Sequence, residues 1–237
     1  RFDVIIAFLT SARFLTALTT ATIGAAALSF AIRQTIGWAG LFGILGALVV
    51  LWAVVLVVKR GEIEWSGLLP ISLMIFIGWA GASVFWSHYQ WATLGSLTYL
   101  LAFTILGVAV ALLRDTIQIV RAFGDVLRVV LVVSLIIELL SGLLIDTPIR
   151  FLLVAGNLDQ LGPIQGVLGS RNQLGIVAII ALITFVTELR TRSVSRGLGV
   201  ASIVLAGICL LLSQSPVAIG ASAILGVAAA ALFGLRR

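Results

Sequence analysis

The stretch GPIQGVLGSRNQLGIVAIIALITFV, Gly162 to Val186, passes from a glycine-rich polar turn into a continuous apolar run. The turn carries one arginine, Arg171. With Ser170 or Asn172 as cap, the pattern predicts a helix over about 172–188. A helix that apolar belongs in lipid, which leaves Gly169, Ser170, Arg171 and Asn172 at its edge, where the helix begins. A helix start offers free backbone N–H groups and the positive end of a dipole, and a guanidinium adds five donors. That is anion-binding chemistry. A second reading of the same residues stands beside it: a capped membrane loop whose arginine snorkels to headgroups.

Outward from this stretch the same texture continues. The chain has 237 residues, 61% hydrophobic and 10% charged, a balance no water-soluble domain of this length tolerates. The apolar runs are as long as a spanning helix, not the short alternating segments of an outer-membrane barrel. The expected fold class is therefore all-α, a polytopic helical membrane bundle forming one transmembrane domain over 1–237. Arg1–Arg13 reads as an amphipathic lead-in. Spans are expected at about 14–31, 36–58, 68–86, 92–113, 126–145, 172–188, 198–213 and 216–234, with 146–171 as a loop. Arg13 and the apolar run after it mimic a signal peptide, but the further spans argue against one. The chain begins at Arg1 and stops at Arg236-Arg237 directly after a span, so a longer parent protein is expected.

Several local features qualify this outline. Gly37, Gly40, Gly43 and Gly46 recur every third residue, baring one helix face for close approach by another helix. Trp79, Phe85, Trp86, Tyr89 and Trp91 cluster around the turn Ser87-His88-Tyr89-Gln90, as aromatics do at headgroup level. Between Arg114 and Arg128, the spacing of Ile117, Val120, Phe123 and Leu127 suits a segment lying on the leaflet before the chain turns inward. Glu138 falls inside a span, where an ionisable group marks either function, with Arg150 or Arg171 as partner, or a carboxylate reached by interfacial water. Cys209, the single cysteine, reads as a packing residue.

The net charge of +6 reflects topology and not nucleic acid. Twelve of the fifteen Lys and Arg residues fall on one side of the eight expected spans, leaving Arg33, Arg150 and Arg171 on the other. The crowded side should be cytoplasmic, with both ends of the chain, and the Gly162–Gly175 stretch should face outward. There is no GxxxxGK[ST] phosphate cradle, and Gly197-Leu-Gly199 has no strand before it. His88 is the only histidine, so neither a Ser-His-Asp triad nor a histidine metal site can be assembled. Asp146, Asp159 and Glu138 leave open a weak divalent site, but an arginine-centred site without metal or cofactor is simpler.

Three stretches together resemble the O-antigen ligase family, including its exopolysaccharide-polymerase relatives. They are WAGASVFWSHYQWATLGSLTYLL (79–101), GPIQGVLGSRNQLG (162–175) and LLLSQSPVAIGAS (210–222). The first is similar to the family's serine- and tryptophan-containing span end and short outer turn. The second is similar to its glycine, basic residue, Asn and Leu-Gly helix opening, and the third to its Leu-Ser-x-Ser turn. The resemblance implies a multi-pass protein of the cytoplasmic (plasma) membrane. It implies a glycosyltransferase that takes a glycan from a polyprenyl diphosphate carrier to a glycan or lipid acceptor on the outer face, without nucleotide sugar or metal. Carried over, Arg171 takes the basic position, Asn172 the asparagine, and Ser213 and Ser215 the second turn; Gly169 and Ser170 precede them. Arg150 joins the substrate-binding candidates as an outward arginine. Where the family places a basic residue after the second turn, Pro216 and Val217 stand here. The family's catalytic histidine lies in a large outer loop that this stretch does not contain, so no catalytic residue is assigned. Two other readings remain open: a transporter or lipid flippase using Glu138, and a non-catalytic membrane scaffold.

Overall fold

The computed structural model describes residues 7–61, 70–145, 147–152, 154, 156, 158 and 162–234. These residues form an all-α protein; among them the only β-pairing is an isolated antiparallel bridge between Ile149 and Val154. Eight long helices occur among the described residues. They are α1 (Ala12–Ala27), α2 (Ser29–Val58), α3 (Ile71–Ala82), α4 (Gln90–Leu113), α5 (Thr116–Leu139), α6 (Arg171–Arg190), α7 (Arg196–Ser213) and α8 (Pro216–Gly234). Five stretches are long and apolar enough to cross a membrane: Ser29–Val58, Gln90–Leu113, Thr116–Leu144, Arg171–Arg190 and Arg196–Ser213. At 1.5 Å per residue, about 20 residues cover a bilayer's hydrocarbon core. Ile71–Phe85 and Pro216–Ala228 are shorter apolar stretches. Val57, Ile75, Ile183, Leu211 and Ile224 stand exposed on these helices, as a lipid environment allows.

The chain folds as two compact units. One comprises 1–26 and 38–119, the other 27–37 and 120–237. One boundary between them falls at Gly37, whose φ of 73° and ψ of −178° break α2. In the first unit, Trp52 is fully buried and its indole donates to Thr22 Oγ1 at 2.9 Å, the partner a buried indole N–H requires. Arg114, in the break after α4, donates through Nη2 to Thr16 Oγ1 at 2.8 Å. Burial pulls its pKa below the ordinary arginine value, against the opposing pull of Asp115.

The second unit is built on α5 to α8. Phe185, Leu174, Ala178 and Ala181 of α6 are buried, together with Ala206 and Cys209 of α7 and Ala218 of α8. Cys209 is a packing residue, its thiol 3.9 Å from the Leu131 carbonyl. Toward the C-terminal end of α6, Arg128 of α5 pairs with buried Glu188 through Nη2 and donates through Nε to Ser202 of α7 at 2.9 Å. The same guanidinium reaches Asp125 at 2.9 Å and lies 4.9 Å over the Phe185 ring. Gly124 makes room for this cluster, since a Cβ there would run into the Glu188 carboxylate.

Three local expectations read differently here. Arg33 does not sit in a turn: the helix of α2 already runs from Ser29 up to Gly37. The 114–128 segment is not separate from the span after it, because α5 is continuous from Thr116 to Leu139 and ends in a π-turn at Leu140–Leu144. Along the glycine stripe, a Cβ at Gly37, Gly43 or Gly46 would meet nothing within 4 Å among the described residues. Close approaches occur instead at Gly124, Gly142 and Gly175. Glycine spacing shows where a neighbour could come close, but packing elsewhere decides whether one does. The lead-in before residue 7 and Glu62, Glu64, Arg236 and Arg237 lie outside the described residues.

Candidate functional site

The site grows from the backbone of Gly162–Gly175. Ile164 N–H donates to the Leu212 carbonyl of α7 at 3.1 Å. The next two amides, of Gln165 and Gly166, both donate to Glu138 Oε1 of α5 at 2.8 Å. Val167 N–H then meets Ser134 Oγ, one turn earlier on α5, at 3.3 Å. Glu138 is therefore buried at 1% exposure with backbone amides as its partners, so the expected pairing with Arg171 does not form. The chain makes a short 3-10 turn over Gly166–Leu168 and reverses at Gly169, whose φ of +79° suits glycine. A Cβ at Gly169 would run into the Phe30 ring.

Ser170 then caps α6. It is extended (φ −153°, ψ 147°), and its Oγ accepts from Gln173 N–H at 3.2 Å. Arg171 is the first helical residue and is exposed. No hydrogen bond or ion pair engages its guanidinium among the described residues.

Asn172 joins this turn to the second one. Ser215 Oγ donates to Asn172 Oδ1 at 2.9 Å and accepts from Ala218 N–H at 3.1 Å, capping α8. Pro216 follows at the first helical position, where its missing N–H costs nothing. Gly175 permits the contact, because a Cβ there would lie 2.6 Å from the Ala218 Cβ and 2.8 Å from the Ser215 Cβ. Two helices thus begin side by side, and both present the positive ends of their dipoles beside Arg171.

Of the candidates, Gly169, Ser170, Arg171, Asn172 and Ser215 come together. Ser213 is close by, against Gly175. Ser213 and Ser215 are buried, and the Ser213 hydroxyl is bonded back to the Leu210 carbonyl at 2.7 Å. Both hydroxyls are thus engaged within the protein. The backbone of Arg150 lies in a short 3-10 turn, Arg150–Leu152, while its side chain, with Asp146, Asn157 and Asp159, lies outside the description. No group of three or more His, Cys, Asp or Glu able to hold a metal occurs among the described residues.

One arginine was undervalued by sequence reasoning. Arg33 stacks over the Phe30 ring with its Cζ 5.5 Å from the centroid, and that ring is the one covering Gly169. The sequence offers a signal, since Arg33 is one of the three arginines expected on the sparsely charged side, but nothing linear connects it to Gly169. His88 belongs to the other unit, where residues Ser87 to Ala92 line an open cavity of about 580 Å³. No protein-family model, no curated protein and no solved structure matches the chain.

Proposed function

We propose that this protein is a membrane glycosyltransferase of the O-antigen ligase type, taking a glycan from a polyprenyl diphosphate carrier to a glycan or lipid acceptor. The observation that carries the reading is Arg171: an exposed guanidinium, without a partner among the described residues, placed where α6 and α8 both begin. A diphosphate anchored in lipid meets such a group at the membrane edge, and the two helix starts add to its field. Arg33, carried over Phe30 beside Gly169, is the second cation of this neighbourhood. In the transfer, the acceptor's hydroxyl oxygen bonds to the anomeric carbon of the glycan and its proton passes to water, as the carbon–oxygen bond to the diphosphate breaks and the diphosphate leaves with the electron pair. Arg171 stabilises the charge that gathers on the departing diphosphate.

The topology that goes with this reading has eight spans, both ends cytoplasmic, and the Gly162–Gly175 stretch on the outer face of the plasma membrane. The asymmetry of Lys and Arg supports it. A proton-coupled transporter built on Glu138 is disfavoured, because that carboxylate is occupied by the amides of Gln165 and Gly166.

The test is binding of farnesyl diphosphate, a short isoprenoid diphosphate, to the protein in nanodiscs, alongside glycan transfer in membranes. Arg171→Ala should weaken binding by about 1.5–3 kcal/mol, the value of a charge-assisted contact, and abolish transfer while the protein stays in the membrane. Unchanged binding and transfer would remove Arg171 from the site.

A further inference from the structure

We infer that Glu138, with Ser134 beside it, is a positioning residue for Arg171: a clamp on α5 that fixes the turn from which α6 begins. Its bearing on transfer rests on the proposed function above; the clamp itself rests on geometry. The amides of Gln165 and Gly166 converge on one carboxylate oxygen, at 2.8 Å each. They can do so because Gly166 adopts φ +57° and lies flat on Ser134, where any Cβ would collide with the serine side chain. Ser134 Oγ takes the next amide, Val167. After these contacts Val167 and Leu168 are buried, Gly169 turns the chain and Ser170 caps the helix, so no slack separates the clamp from Arg171. The opposite side of the turn is held by Ile164 on the Leu212 carbonyl.

Glu138 works here as an acceptor of hydrogen bonds. It never touches the carrier, and what it requires is an oxygen at that position. Glutamine supplies one, and leucine, close in size, does not. The role therefore differs from that of a proton relay, which glutamine cannot replace.

The test uses the full chain in nanodiscs with Cys209→Ala and Leu168→Cys, placing the only thiol inside the clamped turn. Labelling by a membrane-impermeant maleimide reports opening of the turn, and farnesyl diphosphate binding reports the site. Glu138→Gln should label as slowly as the parent and bind within about twofold of it. Glu138→Leu should label at least about tenfold faster and bind about tenfold more weakly, because an unclamped turn opens locally. Ser134→Ala should shift both readouts in the same direction by less, and it decides the matter if Glu138→Leu does not fold. A protected thiol in Glu138→Leu, or in Ser134→Ala when that variant decides, overturns the clamp. Loss of binding in Glu138→Gln overturns the positioning role, because charge and not an acceptor oxygen is then what the site needs. An opened turn with unchanged binding also overturns it. Arg171→Ala run in parallel then locates the fault: normal binding there means that the diphosphate reading has failed, and lost binding means that only the clamp has.

Discussion

Asn172 and Ser215 show what single residues contribute at this site. The Ser215 Oγ bond to Asn172 Oδ1 ties the start of α6 to the start of α8. Asn172→Ala and Ser215→Ala should each lower stability modestly, and together by less than the sum. A coupling of about 0.5–1.5 kcal/mol in a double-mutant cycle, read by SDS-titrated unfolding, is the expected result. Full additivity would mean that the bond contributes nothing. Arg33→Ala belongs at the same scale. It should weaken farnesyl diphosphate binding less than Arg171→Ala, since its guanidinium stacks on Phe30 whereas Arg171 is exposed and without a partner among the described residues. Equal losses in the two variants would give Arg33 the same weight as Arg171. The site was half legible in the sequence. Ser170 before an apolar run is a capping signature, and Arg171 one residue later falls at the first helical turn by counting alone. The Glu138 contacts were not legible, because no periodicity tells which amide a carboxylate catches after a loop. Phe30 and Arg33 were hidden for the same reason.

Among elements, α5 has the most to hold. Near its middle it carries the Arg128 pairing with Glu188 and Ser202; further along it carries the Ser134 and Glu138 contacts. Removing one member of a buried pair leaves the other charge without compensation, which costs about 3–5 kcal/mol. Arg128→Met should therefore lower the unfolding midpoint in SDS strongly, with Arg128→Met/Glu188→Met recovering much of the loss. Failure of the double variant to recover would mean that the cluster serves more than mutual neutralisation. Gly124→Ala should be damaging in the same assay, since the added methyl runs into the Glu188 carboxylate. Sequence reading found the apolar runs that these helices occupy, because lipid selects composition directly. Amphipathic spacing splits α5 at a surface segment, yet the helix continues, and Arg128, one of its two arginines, is satisfied inside the protein. Sequence reading also expects a neighbour along the glycine stripe of α2, where Gly37, Gly43 and Gly46 meet none within 4 Å among the described residues.

For the whole molecule, orientation is the property that assigns a compartment to the chemistry. With Cys209→Ala as background, Gln214→Cys should react with impermeant maleimide added outside intact cells. Ser193→Cys should react only after permeabilisation. Both positions lie in short breaks of the second unit, Gln214 between α7 and α8 and Ser193 between α6 and α7. The reverse pattern would place the charge-poor side inside and remove the outer-face reading. The charge asymmetry that sets this expectation was fully legible, since it depends on counting and not on folding.

The bond between Asn172 and Ser215 has a consequence for parity. Helices α6 and α8 start at one place, with α7 running back between them, so the two turns are locked to the same aqueous compartment whichever way the chain is threaded. An inverted insertion could not divide the site between compartments; it would carry Arg171 and both helix starts across together. The compartment of one loop in this unit therefore decides, for all of these groups at once, which pool of anions they can ever meet.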